Sequence, residues 1–364
     1  MVPARTSEEG NFPTHIRKQL HNPRHNLRVP PTCASSNTTS KNLLSHTSPT
    51  STTMAFTCLS SPAFEARLRH NDYGQEEAHL KVPLDNLIKG QLSASSAAYN
   101  IDQYIQIETS HRLRQLEAYV KSNNMTADER EDDEWGGLPS PNAGGFAQGV
   151  IEHLLSWCPA FDPYSAGQNL LIEFLEALQE LPQWQGPETY PDANGDVCTS
   201  TFWEFGRDWI GLVDEVSEQV DYVRPCDPDD TAARDRWRNF QHAIARITAH
   251  EFIDCAPHSA LHYIKSDLLS EQRINPVPKY DIIAAAQWVM YQVPCEYVYR
   301  ECLKNEIAET GDLWTPWSKD RWCSWKTDFE FVAGSTQYDS EVRQVAARAV
   351  LVMKQVEAAK TGES

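Results

Sequence analysis

No run of about 18 apolar residues occurs anywhere in the 364-residue chain, so no segment reads as a bilayer-spanning helix. No compact apolar stretch follows the N-terminus either, so a secretory signal is not indicated. The Asn37-Thr38-Thr39 and Asn124-Met125-Thr126 matches to the glycosylation pattern therefore carry little weight. None of the nine cysteines forms a C-x-x-C pair. An odd count in a chain this long argues against a disulfide scaffold and for reduced thiols in a cytosol-like compartment. The Gly-rich signatures G-x-x-x-x-G-K-[ST] and G-x-G-x-x-G and the nucleophile elbow G-x-S-x-G are missing. Gly144-Gly145 with Gly149 lacks the preceding strand that a phosphate cradle needs. No segment sustains period-2 alternation with hairpin turns, which excludes a large sheet. Positive charge is also scarce, with 32 basic against 51 acidic residues. A net charge of −19 argues against phosphate-held nucleic acid and against anionic membrane.

What charge there is divides unevenly. Residues 1–53 hold six basic and two acidic side chains, leaving 26 and 49 to the remainder. Ser, Thr and Pro fill 22 of these 53 positions and Phe12 is their one aromatic. Such a stretch cannot bury enough apolar area to offset its ordering entropy. We read residues 1–61 as a disordered basic tail. A basic, Ser-rich start also has the look of a mitochondrial transit peptide, and Met54 offers an alternative start.

Residues 62–360 read as one all-α domain, a multi-helix array of about ten helices. The α-solenoid is left open as its arrangement, although no internal repeat is evident. The spacing predicts helices over 84–92 (with Pro83 in the first turn), 98–121, 145–157 and 165–181. Further helices are predicted over 200–222 (capped by Thr199 or Ser200), 229–252 and 257–270 with Pro257 at its start. The last three fall over 279–310, 317–333 and 339–359. Pro294 should kink or break the 279–310 helix, and Gly311 should close it. Residues 122–145, with the acidic run Asp128 to Glu134, Gly136-Gly137, Pro139 and Pro141, read as a solvated acidic loop.

Two clusters could carry chemistry. His242, His250, Glu251, Asp254, Cys255, His258 and His262 contain four of the eight histidines in residues 54–364. Cys255, His258 and His262 form C-x2-H-x3-H, with residues 258 and 262 on one face if the segment is helical, which suits zinc. Yet Asp254 stands where H-E-x-x-H needs its second histidine, and the plainer reading is hydrogen-bonded histidines beside a buried thiol. No metal ligand, cofactor or catalytic residue is assigned on this basis. The second cluster is Trp314, Trp317, Trp322, Trp325 and Phe329, joined by Trp203, Trp209, Trp237 and Trp288. Tryptophans can line a pocket for a flat ligand. Trp322, Trp325 and Phe329 recur at helical spacing, which fits a core face better. Cys295 and Cys302, seven apart, default to packing.

A resemblance rests on Trp237-Arg238-Asn239-Phe240, Ala245-Arg246-Ile247, Ala260-Leu261 through Leu268-Leu269, and Ala284-Ala285-Ala286-Gln287-Trp288-Val289. With Glu341-Val342-Arg343 to Ala349 and Met353 to Glu357, these resemble a fungal family, the domain of unknown function 3632. Its namesake is the oxopyrrolidines biosynthesis cluster protein G. The resemblance covers most of residues 80–360. It implies a mostly helical fungal protein, some relatives being encoded beside secondary-metabolite genes, and brings no catalytic residues. The expected function is a cytoplasmic partner-binding or accessory module. The alternative is an enzyme or small-ligand-binding protein of secondary metabolism. Either way the partner is an unknown protein or a small apolar ligand. A deep interhelical cavity with converging polar groups would favour the alternative, and an exposed apolar groove the first.

Overall fold

The structure is a computed structural model that describes residues 78–131, 135–206, 212–227, 229–264, 277–306 and 317–361. All of these lie in one compact unit, Thr50–Ser364. The expected tail, Trp209, Trp314 and Gly311 fall outside the described residues.

Eleven α-helices occur among the described residues. They are α1 (Ala78–Ile88), α2 (Ala94–Asn123), α3 (Ala127–Glu131), α4 (Ala143–Trp157), α5 (Ala166–Gln179), α6 (Leu212–Val223) and α7 (Thr231–Ala249). The last four are α8 (Lys279–Ala286), α9 (Gln292–Cys302), α10 (Lys319–Gly334) and α11 (Ser340–Thr361). Two three-residue strands, β1 (Gln185–Pro187) and β2 (Thr199–Thr201), pair antiparallel with Gln185 opposite Thr201. The fold is all-α, as the apolar periodicity requires. Short polar side chains start several of the helices. Ser93 accepts from Ser96 N at 3.1 Å, Asp230 from Ala233 N at 2.9 Å, and Asp339 from Val342 N at 3.0 Å.

Helices α1, α2, α5 and α7 each bury an apolar stripe. Leu84 and Leu87, Ile101 and Ile105, Phe174 and Leu178, and Trp237, Phe240 and Ile244 are all fully buried. Helix α7 is the centre of the array. It touches α5, α6, α8, α9 and the 3-10 turn Cys158–Ala160. On one side α1, α2, α4 and α5 pack together. On the other, α11 runs along α10 and reaches α8 and α9. The helices thus close round a centre that both halves share.

Several local expectations are corrected. Pro83 lies inside α1, not in its first turn. Burial of Leu80 together with Leu84, Leu87 and Ile88 extends the helix back past the proline, offsetting the lost backbone bond. The acidic segment 122–145 is not all solvated loop. Its Thr126 and Glu129 form a reciprocal cap that starts α3, with Glu129 Oε2 accepting from Thr126 N at 2.7 Å. Trp135 is buried and stacks on Tyr190 at 5.0 Å. Helix α6 begins at Leu212, so Phe202 and Phe205 precede it, and Thr199 and Ser200 belong to β2.

The 257–264 stretch forms two 3-10 turns, Ala256–His258 and Ala260–Tyr263, not an α-helix. The side chain of Gln241 divides them, accepting from Ala260 N at 2.8 Å and donating to the His258 carbonyl at 3.1 Å. The break in 279–310 comes at residues 287–291, before Pro294, which sits in the first turn of α9 where a missing N–H costs nothing.

Candidate functional site

Helix α7 ends in a left-handed residue, Glu251 at φ 61. Phe252 N then donates to the Ile247 carbonyl at 3.2 Å and Glu251 N to the Thr248 carbonyl at 2.9 Å. This is the Schellman closure, with a glutamate where glycine is usual. The turn throws Glu251, Ile253 and Asp254 toward α9, and between them opens a cleft of about 540 Å3.

Phe205, Ile253 and Trp317 supply its apolar wall. Trp317 is nearly fully buried, its backbone carbonyl held by Asn305 Nδ2 at 3.2 Å. The polar side comes from Glu251 and Asp254 after α7, Tyr297 and Glu301 one turn apart on α9, and Lys304 and Asn305 just beyond. Ion pairs fix these groups. Arg300 Nη2 lies 2.5 Å from Glu251 Oε1, and Lys304 Nζ lies 2.6 Å from Glu301 Oε2. All four side chains except that of Glu301 are well exposed, so each pair orders the rim more than it stabilises the fold. Asp254 Oδ1 accepts from Ala256 N at 3.1 Å. Burial, then Asp254 and Glu301, push the Tyr297 phenol up, so it stays a protonated donor. The cleft therefore offers a flat apolar wall, a phenolic donor and carboxylate acceptors.

The histidine cluster of the sequence is dispersed. Only Glu251 and Asp254 reach the cleft. His250 stacks on Phe252 at 5.7 Å and faces Glu176 at 3.8 Å. Cys255 is fully buried, and burial pushes its thiol up, the reverse of what a thiolate ligand requires. The His262 Nε2 lies 3.1 Å from the Ala256 carbonyl, and burial holds its pKa down to about 4. With the segment folded as 3-10 turns, the one-face geometry assumed for His258 and His262 does not arise. Among the described residues no three His, Cys, Asp or Glu side chains stand close enough to hold an ion.

Of the aromatic cluster, Trp317 lines the cleft and Trp322, Trp325 and Phe329 belong to the core. The Trp322 indole donates to Glu357 Oε1 at 2.6 Å, as a buried indole requires. Trp203, Trp237 and Trp288 are fully buried. Tyr297, Glu301, Lys304 and Asn305 were not singled out in the sequence. Their one signal was polar spacing at i, i+4, i+7 and i+8, which also describes any solvated face.

Among the described residues no helix is long and apolar enough to cross a membrane. No curated protein and no solved structure matches the chain. A family match begins within α4, ends within α10 and includes every residue that lines the cleft, a narrower span than the sequence resemblance suggested. Residues 153–329 of the chain match the family described as Protein of unknown function (DUF3632).

Proposed function

We propose that the chain is a small-molecule-binding protein whose ligand occupies the cleft between the end of α7 and α9. The observation that carries this reading is the cleft itself. Its volume of about 540 Å3 falls in the range of organic-ligand sites, and it pairs an apolar wall with a few fixed polar groups. A ligand with one flat apolar flank against Trp317 and hydrogen-bonding groups toward Tyr297, Asp254 and Glu301 suits it. This replaces a purely apolar ligand with an amphipathic one.

The partner-binding module is the weaker reading. The large exposed apolar side chains, among them Val82, Tyr99, Tyr164, Tyr222, Val293, Leu303 and Leu351, are spread over α1, α2, α6, α9, α11 and the turns beside α5 and α9, and none lines the cleft. Scattered exposure of that kind is ordinary. In the same proposal we place the protein in the cytoplasm and in secondary metabolism, with one helical domain over 62–360 behind a basic tail. That placement rests on the sequence resemblance, on the thiol-rich composition and on the charge division.

The experiment is recovery of the native full-length protein with mass spectrometry of retained small molecules. We expect a stoichiometric metabolite, with retention reduced at least about ten-fold by Trp317→Ala or Tyr297→Phe. A stoichiometric protein partner and no metabolite would overturn the ligand reading.

A further inference from the structure

A second cluster lies on the middle of α7, built from residues that do not line the cleft. His242 is fully buried, and its Nδ1 is 2.5 Å from Gln168 Oε1. The Gln168 amide nitrogen already donates to the carbonyls of Phe161 and Asn239, each at 3.0 Å. Its oxygen must therefore accept, and Nδ1 of His242 carries the proton. That leaves Nε2 as a lone-pair acceptor, buried and without a hydrogen-bond partner.

Two tyrosines cover the imidazole. Tyr164 and Tyr291 stand edge-on to it, with ring centres at 4.7 and 4.8 Å, and edge-on to each other at 4.7 Å. Each carries an arginine. Arg246, one turn along α7 from His242, lies over Tyr164 at 5.0 Å, and Arg348 of α11 lies over Tyr291 at 5.1 Å. Arg246 is nine-tenths buried, and its Nη1 has no hydrogen-bond partner. Neither arginine has an ion pair within 4.0 Å among the described residues, whereas neighbouring Arg238 is held by Asp162 and Asp235.

We propose that this cluster is a second ligand site, covered by Tyr164 and Tyr291, for a small aromatic hydroxy-carboxylate. The carboxylate answers the two guanidiniums, the hydroxyl donates to His242 Nε2, and the aromatic ring lies against the parted tyrosines. Three features support this. A buried guanidinium without an anion is costly, and an incoming carboxylate relieves it. The Glu176 carboxylate acts on Arg246 only from beyond ion-pair distance, so two guanidiniums stand over the tyrosines without a paired anion in a chain of net charge −19. Tyr164 sits in the left-handed region at φ 54 and is 42% exposed. A non-glycine residue there is a strained position of the kind found at ligand clamps.

Titration calorimetry of the full chain with 4-hydroxybenzoate, benzoate and phenol tests it. We expect saturable one-to-one binding of 4-hydroxybenzoate, about ten-fold weaker binding of benzoate, and no saturation by phenol. Arg348→Gln, at an exposed position, should weaken 4-hydroxybenzoate at least about ten-fold without changing the unfolding midpoint. Tyr297→Phe in the cleft should leave that binding unchanged, so failure here and failure of the cleft reading are separable. Absence of saturable 4-hydroxybenzoate binding, or binding that survives Arg348→Gln or is lost on Tyr297→Phe, overturns the proposal.

Discussion

Asp102 stands on α2 with its carboxylate almost wholly buried and, among the described residues, in no ion pair. One oxygen accepts the indole N–H groups of Trp184 and Trp203 at 2.8 and 2.7 Å, and the other accepts Gln106 Nε2 at 2.8 Å. Through it the segment around β1 and β2 is tied to α2. Asp102→Leu leaves two indole donors unsatisfied and should lower stability by about 3–5 kcal/mol. Asp102→Asn keeps an oxygen for both indoles and should cost no more than about 1–2 kcal/mol. Urea unfolding of the two variants checks this, and equal losses would contradict it. Asp102 was one of 51 acidic residues with nothing in its neighbourhood to mark it. The same holds for Gln168 and Gln241, because a buried polar residue declares itself only when its partners arrive from distant segments. The cysteines were more legible. Cys158, Cys255, Cys295 and Cys302 are buried, as small apolar side chains would be, while Cys198, Cys226 and Cys323 are exposed.

Helices with an uninterrupted apolar stripe and a polar starter, such as α5, α7 and α11, form where the sequence predicts them. The errors fall where a side chain of another element competes with the local pattern. The best case is Gln241 of α7. Its oxygen accepts both Ala260 N at 2.8 Å and Trp288 Nε1 at 2.7 Å, and its nitrogen donates to the His258 carbonyl at 3.1 Å. One side chain thereby secures the 3-10 turns and the break between α8 and α9. Gln241→Met preserves volume but strands two donors and an acceptor, all buried or nearly so. We expect a loss of about 3–5 kcal/mol, read from denaturant unfolding, with a change in tryptophan fluorescence as the Trp288 indole loses its acceptor. A loss below about 1 kcal/mol would show that the turns hold themselves. The helical facing that the His258–His262 spacing allows does not arise for this reason, since Gln241 keeps that segment from being an α-helix.

Taken as a whole, the molecule stores acid sensitivity in its interior. Burial is the leading cause that holds His242 at about 3 and His153 and His262 at about 4, all below the ordinary 6.5. Since the folded values are depressed, the unfolded chain binds these protons more readily. Stability is therefore full above about pH 6.5 and is lost as pH falls toward 4. Each imidazole contributes about 1.4 kcal/mol per pH unit within that window. Asp281, raised chiefly by burial, acts in the opposite sense at the acid end. Denaturant unfolding at pH 7.5, 6 and 5 should show the decline, and His153→Gln should flatten it by about one imidazole. A midpoint independent of pH over that range would contradict the burial of neutral histidines.

The sequence by itself determined that the chain is helical, roughly where its helices run and which residues fill the core. Those properties follow from apolar spacing every three to four positions and from local caps. Only the tertiary structure decided where helices stop without a local signal. It also decided which polar side chains are buried as fasteners, and that Glu251, Asp254, Tyr297 and Trp317 share one cleft. Those outcomes depend on pairings between residues far apart in sequence, and burial makes such pairings obligatory without local spacing encoding them.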